Sequence, residues 1–327
     1  MALHRNEELP LKNSICMSKT PPVNEIIPRK PHEGIQPILD HFADLLEDAV
    51  NMGSNILEWD KNPKSTGEEN IPPLMLLRHF IDLVDSISVL VRQSCCDPTQ
   101  ILMRAAFEAK ISLDFLLEKD SIERANAFIF SDLLRQISTL GKFDSSTDEG
   151  KELKKTLAKE GLSSQAKINI SIAKNHKKSL ENILLQSKFT ALLAERDRLK
   201  SLKLKIPSWY GFFGGPKNIQ ELATSLGQRS AYELLYRTWS GSAHASDIYQ
   251  GKISKMSDGG VGIVQLRNPQ NLQLVTHTVL TFALYTFYGY TKARIPHKQK
   301  AIAHWHMGIK NVYDDLNKEQ LIQIAEE

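Results

Sequence analysis

Apolar positions recur at helical spacing along nearly the whole chain. Between Ile35 and Trp59, residues Ile38, Phe42, Leu45, Leu46, Ala49, Ile56 and Leu57 fall on one face, and the segment Asn62 to Pro73 breaks the pattern. A second helix is predicted from about Leu74 to Cys95, with Arg78, Asp82 and Asp85 on its wet face. Asp97 as an N-cap residue and Pro98 at the first helical position mark the start of a third, which runs to about Leu117. Further helices are predicted over Ile122 to Leu140, Ser163 to Leu202, Ile219 to Leu226, Ser230 to Ala245, Gln270 to Ala293, and from Lys298 to the end. Lys142 to Gly161 is charged and poor in apolar residues, so it reads as a connection plus a weak helix.

Strand signals are nearly absent. The exception is Gly251 to Arg267, where Asp258, Gly259 and Gly260 separate two short runs suited to a hairpin. Pro10, Pro21, Pro22 and Pro28 repeatedly deny residues 1–30 a helix, so that stretch reads as a flexible arm. The expectation is an all-α fold: one multi-helix bundle over residues 31–327 with a small β-hairpin near residues 251–267.

Composition narrows the class. At 41% hydrophobic and 24% charged, a 327-residue chain buries a large core and is not a disordered one. The longest apolar stretch, Val275 to Tyr290, is interrupted by Thr, His and Gly and falls short of the roughly 20 residues that span a bilayer, so no membrane segment is predicted. The N-terminus lacks the apolar run of a secretory signal. Three cysteines support neither a disulfide framework nor a four-ligand zinc site, which points to a reducing, cytoplasmic setting. His304 and His306, two apart on a helix, point about 200° from each other and do not form a metal pair, so no metal or cofactor is expected.

The overall charge of +3 is small but unevenly spread: Lys151 to Lys205 holds 14 Lys+Arg against 5 Asp+Glu, a net +9. This segment is either a solvated lysine-rich helix face or a surface for phosphates.

Candidate chemistry concentrates in Gln228 to Ala245, QRSAYELLYRTWSGSAHA. Wound at about 100° per residue, it places Arg229, Glu233, Arg237, Ser240 and His244 within an arc of about 80°, beside an apolar face of Tyr232, Leu235, Tyr236, Trp239 and Ala243. A guanidinium and an imidazole on one line suit phosphoryl chemistry, one stabilising negative charge and the other moving a proton near neutral pH. The alternative is structural, with Glu233 and Arg237 as an i,i+4 ion pair and His244 near the helix end.

A second stripe lies in the third helix, where Arg104, Glu108 and Ser112 align between apolar flanks, while Lys110 and Asp114 point away and read as wet. Arg preceding Glu is the weaker order for an intrahelical pair, so Arg104 or Glu108 should meet a group from another helix. The stripe either faces Ser240 and His244 or is a polar network that fixes helix packing. The loop WYGFFGGP, Trp209 to Pro216, lacks the Lys-Ser/Thr of a phosphate loop, and its aromatics are expected to anchor in the core.

Together RAAFE at Arg104 to Glu108, the WYGFFGG loop and YELLYRTWSGSAHAS resemble an uncharacterised, mainly bacterial helical family known only as a domain of unknown function. Its pattern is Arg-x3-Glu, then Tyr232, Tyr236, Ser240 and His244 at four-residue spacing, across roughly residues 35–295. More distantly, Arg237 to His244 is similar to the Arg-x4 to x6-His signature of HEPN proteins, helical bundles that include metal-independent RNA-cleaving toxins and defence proteins. That resemblance implies a ribonuclease with Arg237 stabilising the strained phosphate and His244 as acid/base. Ser240 and Tyr236 would orient them, the basic helix would gather RNA, and two copies would face each other as a homodimer. The other reading is a non-catalytic binding or regulatory module, or a small-molecule pocket lined by Arg104, Glu108 and Tyr232.

Overall fold

A computed structural model of the chain describes residues 33–61, 67–144, 146–162, 170–239, 253–255 and 259–318. The expected arm at residues 1–30, and Ser240 and His244, lie outside them.

The fold is an all-α bundle. Helix α1, Gln36–Trp59, packs along α2, Ile71–Arg92, and α2 packs along α3, Cys96–Glu118. The stretch Val275 to Tyr290 belongs to α10, Leu272–Arg294, which lies against α1 and α3 and is capped on a further side by α11, Gln299–Lys318. Contact on several sides accounts for its composition: residues such as Val279, Leu280, Phe282, Phe287 and Tyr290 are buried around much of its circumference. No helix among the described residues is long and apolar enough to cross a membrane.

Two helix starts differ from expectation. Helix α2 begins at Ile71 rather than Leu74, because Pro72 and Pro73 sit in its first turn, where amide donors have no intrahelical acceptor to satisfy. Helix α3 begins at Cys96 with Cys95 as its cap, so Asp97 lies inside the first turn and favours the helix dipole instead of capping it. The cause is the tight turn before it: Ser94 takes a left-handed φ of 56°, and the Cys95 amide donates back to Leu90 O at 2.8 Å. The α1–α2 pairing is fastened by Arg92, whose guanidinium donates to Asp40, Asp44 and Glu47 at 3.2, 2.8 and 2.7 Å.

Beyond α3 the chain builds a second, smaller core. Helix α4, Ser121–Gly141, presents Ala127, Phe130 and Leu133 to Leu180 and Leu184 of α6, Ile170–Leu184, to Leu192 of α7, Thr190–Ser201, and to Phe189 and Phe212. Between α4 and α6 lies α5, Asp148–Lys159, the weak helix expected there, started by Thr147 Oγ1 accepting from the Gly150 amide at 3.0 Å. The single helix expected from Ser163 to Leu202 is broken. Helix α6 ends at Leu184, a 3-10 turn covers Ser187–Phe189, and α7 follows. Fully buried Phe189 sets the break, packing 5.8 Å from the Phe130 ring, and an uninterrupted helix would carry it elsewhere.

The WYGFFGG segment is a pair of tight turns, Trp209–Gly214, anchored as expected by Phe212 in the second core and by Trp209 at 5.7 and 5.3 Å from Phe115 and Phe128. Phe213 departs from that role and is 63% exposed. Gly215 is obligatory, because a Cβ there would stand 2.0 Å from Tyr210 O. The hairpin lies in the expected interval: β1, Ile253–Lys255, pairs antiparallel with β2, Val261–Ile263, in the register Ile253 to Ile263.

Candidate functional site

The site is built where α3 meets the segment after α8, Ile219–Ser225. Gly227, with φ of +70°, reverses the chain, and α9 opens at Arg229–Ala231, passes through a π-helical turn at Tyr232–Tyr236 and resumes as α-helix over 237–239. Two clamps hold this segment to α3. At its start, Gln228 Nε2 donates to Asp114 Oδ2 at 2.7 Å while Lys110 Nζ donates to Gln228 Oε1 at 3.0 Å and to Asp114 at 2.6 Å. Lys110 and Asp114 are therefore not a wet face. The Lys110 side chain is 7% exposed, because the α8–α9 joint covers that side of α3 and satisfies its charge.

Eight residues on, Tyr236 forms the second clamp. Its hydroxyl donates to Glu108 Oε1 at 2.6 Å and accepts from Arg104 Nη2 at 2.8 Å, and Arg104 Nε reaches Glu108 Oε1 at 3.4 Å. The Arg104 guanidinium also lies 4.6 Å from the centroid of the Tyr236 ring, which stacks on Tyr232 at 5.0 Å and packs 5.8 Å from Phe107. Arg104 and Glu108 thus meet a group from another helix, as their spacing requires. That group is a tyrosine of the flank the wheel reads as apolar.

Burial pushes the Tyr236 phenol up to about 12, reinforced by the Glu108 carboxylate that accepts its hydrogen bond. At neutral pH the hydroxyl is therefore a fixed donor and no base. Arg104 is held above its ordinary value: burial opposes its charge, but Tyr236 and Glu108 outweigh it.

On the outer side of the same helix, Arg237 is 67% exposed and donates through Nη1 to Glu233 Oε2 at 3.0 Å. Glu233 Oε1 accepts from Arg229 Nη2 at 3.3 Å and from Gln220 Nε2 of α8 at 3.2 Å. The Arg237 hydrogen bond holds the Glu233 carboxyl below the usual carboxylate range, and Arg237 is raised in turn. Tyr236 and Arg237 are thus adjacent in sequence and opposite in role, one locked inward and the other offered to solvent.

Sequence reasoning missed Gln228 and Gln220, which no motif marks. It also missed the network at the far end of the bundle, where Asp60 Oδ2 accepts from Tyr290 and from Arg294 Nε, both at 2.5 Å. In the basic segment, Lys151, Lys154, Lys155 and Ala158 line an open depression of about 640 Å³ on one side of α5. Among the described residues no group of three or more His, Cys, Asp or Glu is arranged to hold a metal ion.

The model of a family of unknown function, DUF5677, matches residues 70–259, more than half of the chain. The chain belongs to this family. The DUF5677 match is narrower than the expected 35–295, yet it holds every element of the site: the α3 stripe, the aromatic turn and the Tyr-x3-Tyr segment. Helices α1, α10 and α11 fall outside the DUF5677 match and still share its main core. No curated protein and no solved structure is significantly similar to this chain.

Proposed function

We propose that this protein is a HEPN-like, metal-independent ribonuclease acting as a homodimer, with Arg237 and His244 as its catalytic pair. The observation that carries the reading is the exposed Arg237 guanidinium, 67% accessible, on a helix pinned through the neighbouring Tyr236 to Arg104 and Glu108. Such an arrangement anchors the backbone that carries a two-pronged donor and leaves the guanidinium open to a phosphodiester able to compete with Glu233. In this reading Arg237 stabilises the charge that builds on the phosphate, His244 moves the proton, and Ser240 lies between them in sequence. Tyr236, supported by Tyr232, Arg104 and Glu108, holds the helix in place. The net +9 segment from Lys151 to Lys205 gathers RNA. A role as a toxin or defence effector fits that chemistry.

The test is paired measurement of melting temperature and cleavage of a labelled RNA. His244→Ala should abolish cutting with the fold intact, Arg237→Lys should fail because a point charge does not reproduce the fork, and cutting should persist in a chelator. Unchanged cutting by pure His244→Ala protein would refute the assignment.

The hydrogen bonds among Arg104, Glu108 and Tyr236 favour a second reading, a non-catalytic binding or regulatory module in which the stripe is a packing network. Under it, wild-type protein cuts no RNA and His244→Ala lowers stability by about 1–3 kcal/mol.

A further inference from the structure

Arg229, Glu233 and Arg237 follow one another at four-residue spacing along the outer side of α9, and both arginines converge on the one carboxylate between them. Glu233 before Arg237 is the favourable order for a helix pair, but Arg229 before Glu233 is the weaker one, so helix stabilisation accounts less well for Arg229 joining the same carboxylate. Gln220 adds a neutral donor from α8 at 3.2 Å. Three donors from two elements thus surround a single anion, two of them cationic, among the described residues. Both guanidinium side chains stay open to solvent, 58% for Arg229 and 67% for Arg237. The frame beneath them is fixed at both ends, by Gln228 on Asp114 and Lys110 and by Tyr236 on Arg104 and Glu108.

We propose that Arg229, Arg237 and Gln220 form a phosphate-binding fork, and that Glu233 is the resident carboxylate holding the fork in shape until a phosphodiester of single-stranded RNA displaces it. The guanidinium fork that accepts a carboxylate also accepts a phosphate, whose oxygens present the same acceptor geometry with more charge. An exposed ion pair is weak and is screened by salt, so displacing Glu233 costs little. This inference takes its ligand from the ribonuclease reading, and it adds Arg229 and Gln220 as binding residues and Glu233 as a competitor that sets affinity.

The experiment measures binding of a fluorescent single-stranded RNA 12-mer in the His244→Ala background, so that the probe survives, with melting temperatures as the folding control. Glu233→Gln should tighten binding by about 3- to 10-fold at low salt. Arg229→Ala should weaken it by about as much and lower the slope of log K against log salt by about 0.7, the value for one lost single-strand phosphate contact. Inorganic phosphate in place of RNA distinguishes the sources. If Glu233→Gln tightens phosphate but leaves RNA unchanged, the RNA assignment is overturned. Unchanged or weaker binding of both RNA and phosphate by a folded Glu233→Gln protein, or parental binding of both by Arg229→Ala, overturns the fork itself. If the binding pattern holds but His244-intact protein cuts no RNA, the ribonuclease reading fails and the fork stands. Cutting by protein whose binding ignores Glu233 and Arg229 gives the reverse.

Discussion

Replacing Tyr236 with Phe removes one hydroxyl and keeps the ring contacts with Tyr232 and Phe107. Two hydrogen bonds to charged groups disappear, those to Glu108 at 2.6 Å and from Arg104 at 2.8 Å. Hydrogen bonds to charged groups are worth about 1.5–3 kcal/mol each in buried settings. Water around Glu108, whose side chain is 40% exposed, can replace part of what is lost, and Arg104 and Glu108 keep their own 3.4 Å contact, so the expected net loss is about 1–2 kcal/mol. For a chain of 327 residues this is a fall of about 2–3 °C in melting temperature.

The pH dependence carries the sharper signature. The folded phenol is raised above its unfolded value of 10.0, so its contribution is complete below pH 10 and is lost as pH climbs toward about 12. Urea midpoints of wild type and Tyr236→Phe should therefore differ at pH 8 and draw together by pH 11, and taking the difference removes every other titrating group. Equal midpoints at pH 8, or a gap as large at pH 11, would show that the hydroxyl is not bound as described.

Two further substitutions test the buried polar groups. Asp60→Ala strips the acceptor from Tyr290 and from Arg294, whose side chain is 15% exposed, and should cost about 3–5 kcal/mol by urea titration, with a loss under about 1 kcal/mol counting against a buried ion pair. Lys110→Ala should cost about 2–4 kcal/mol because it leaves Asp114 beside Gln228 without its cation, whereas the near-neutral result of an exposed lysine would return Lys110 to the wet face.

Helical periodicity made most of the bundle legible. Where one face is apolar and the other polar, as in α1 from Gln36 to Trp59, the wheel alone gives both the element and its orientation. It failed where a side chain is satisfied by something the helix itself does not encode. Lys110 looks wet on its own helix and is buried because Gln228, 118 residues away in sequence, comes to it. Likewise the run from Ser163 to Leu202 keeps its apolar spacing across the break at Ser187–Phe189, since spacing does not register which core a residue enters.

The candidate site was legible in part for a similar reason. Arg104 and Glu108 are wrongly ordered for a helix pair, which signalled an outside partner but did not identify Tyr236. A wheel of 100° per residue also misstates angles across the π turn at Tyr232–Tyr236, where each residue advances by less.

The division of the buried residues into two cores governs how unfolding can be observed. All four tryptophans, Trp59, Trp209, Trp239 and Trp305, lie in or against the main cluster, and the smaller core around Phe130, Phe189 and Phe212 contains none. Among the described residues, Trp209 is the one indole in ring contact with the layer formed by α4, α6 and α7, through Phe128 of α4 at 5.3 Å, so fluorescence is weighted toward the main core while far-ultraviolet circular dichroism sees the helices of both. With eight buried residues among the described ones, against the much larger main cluster, that layer is expected to open at a lower free energy than the main core. A dichroism midpoint below the fluorescence midpoint would then report a partly open species that still holds Tyr236 against Arg104, and a single unfolding free energy would not describe the chain.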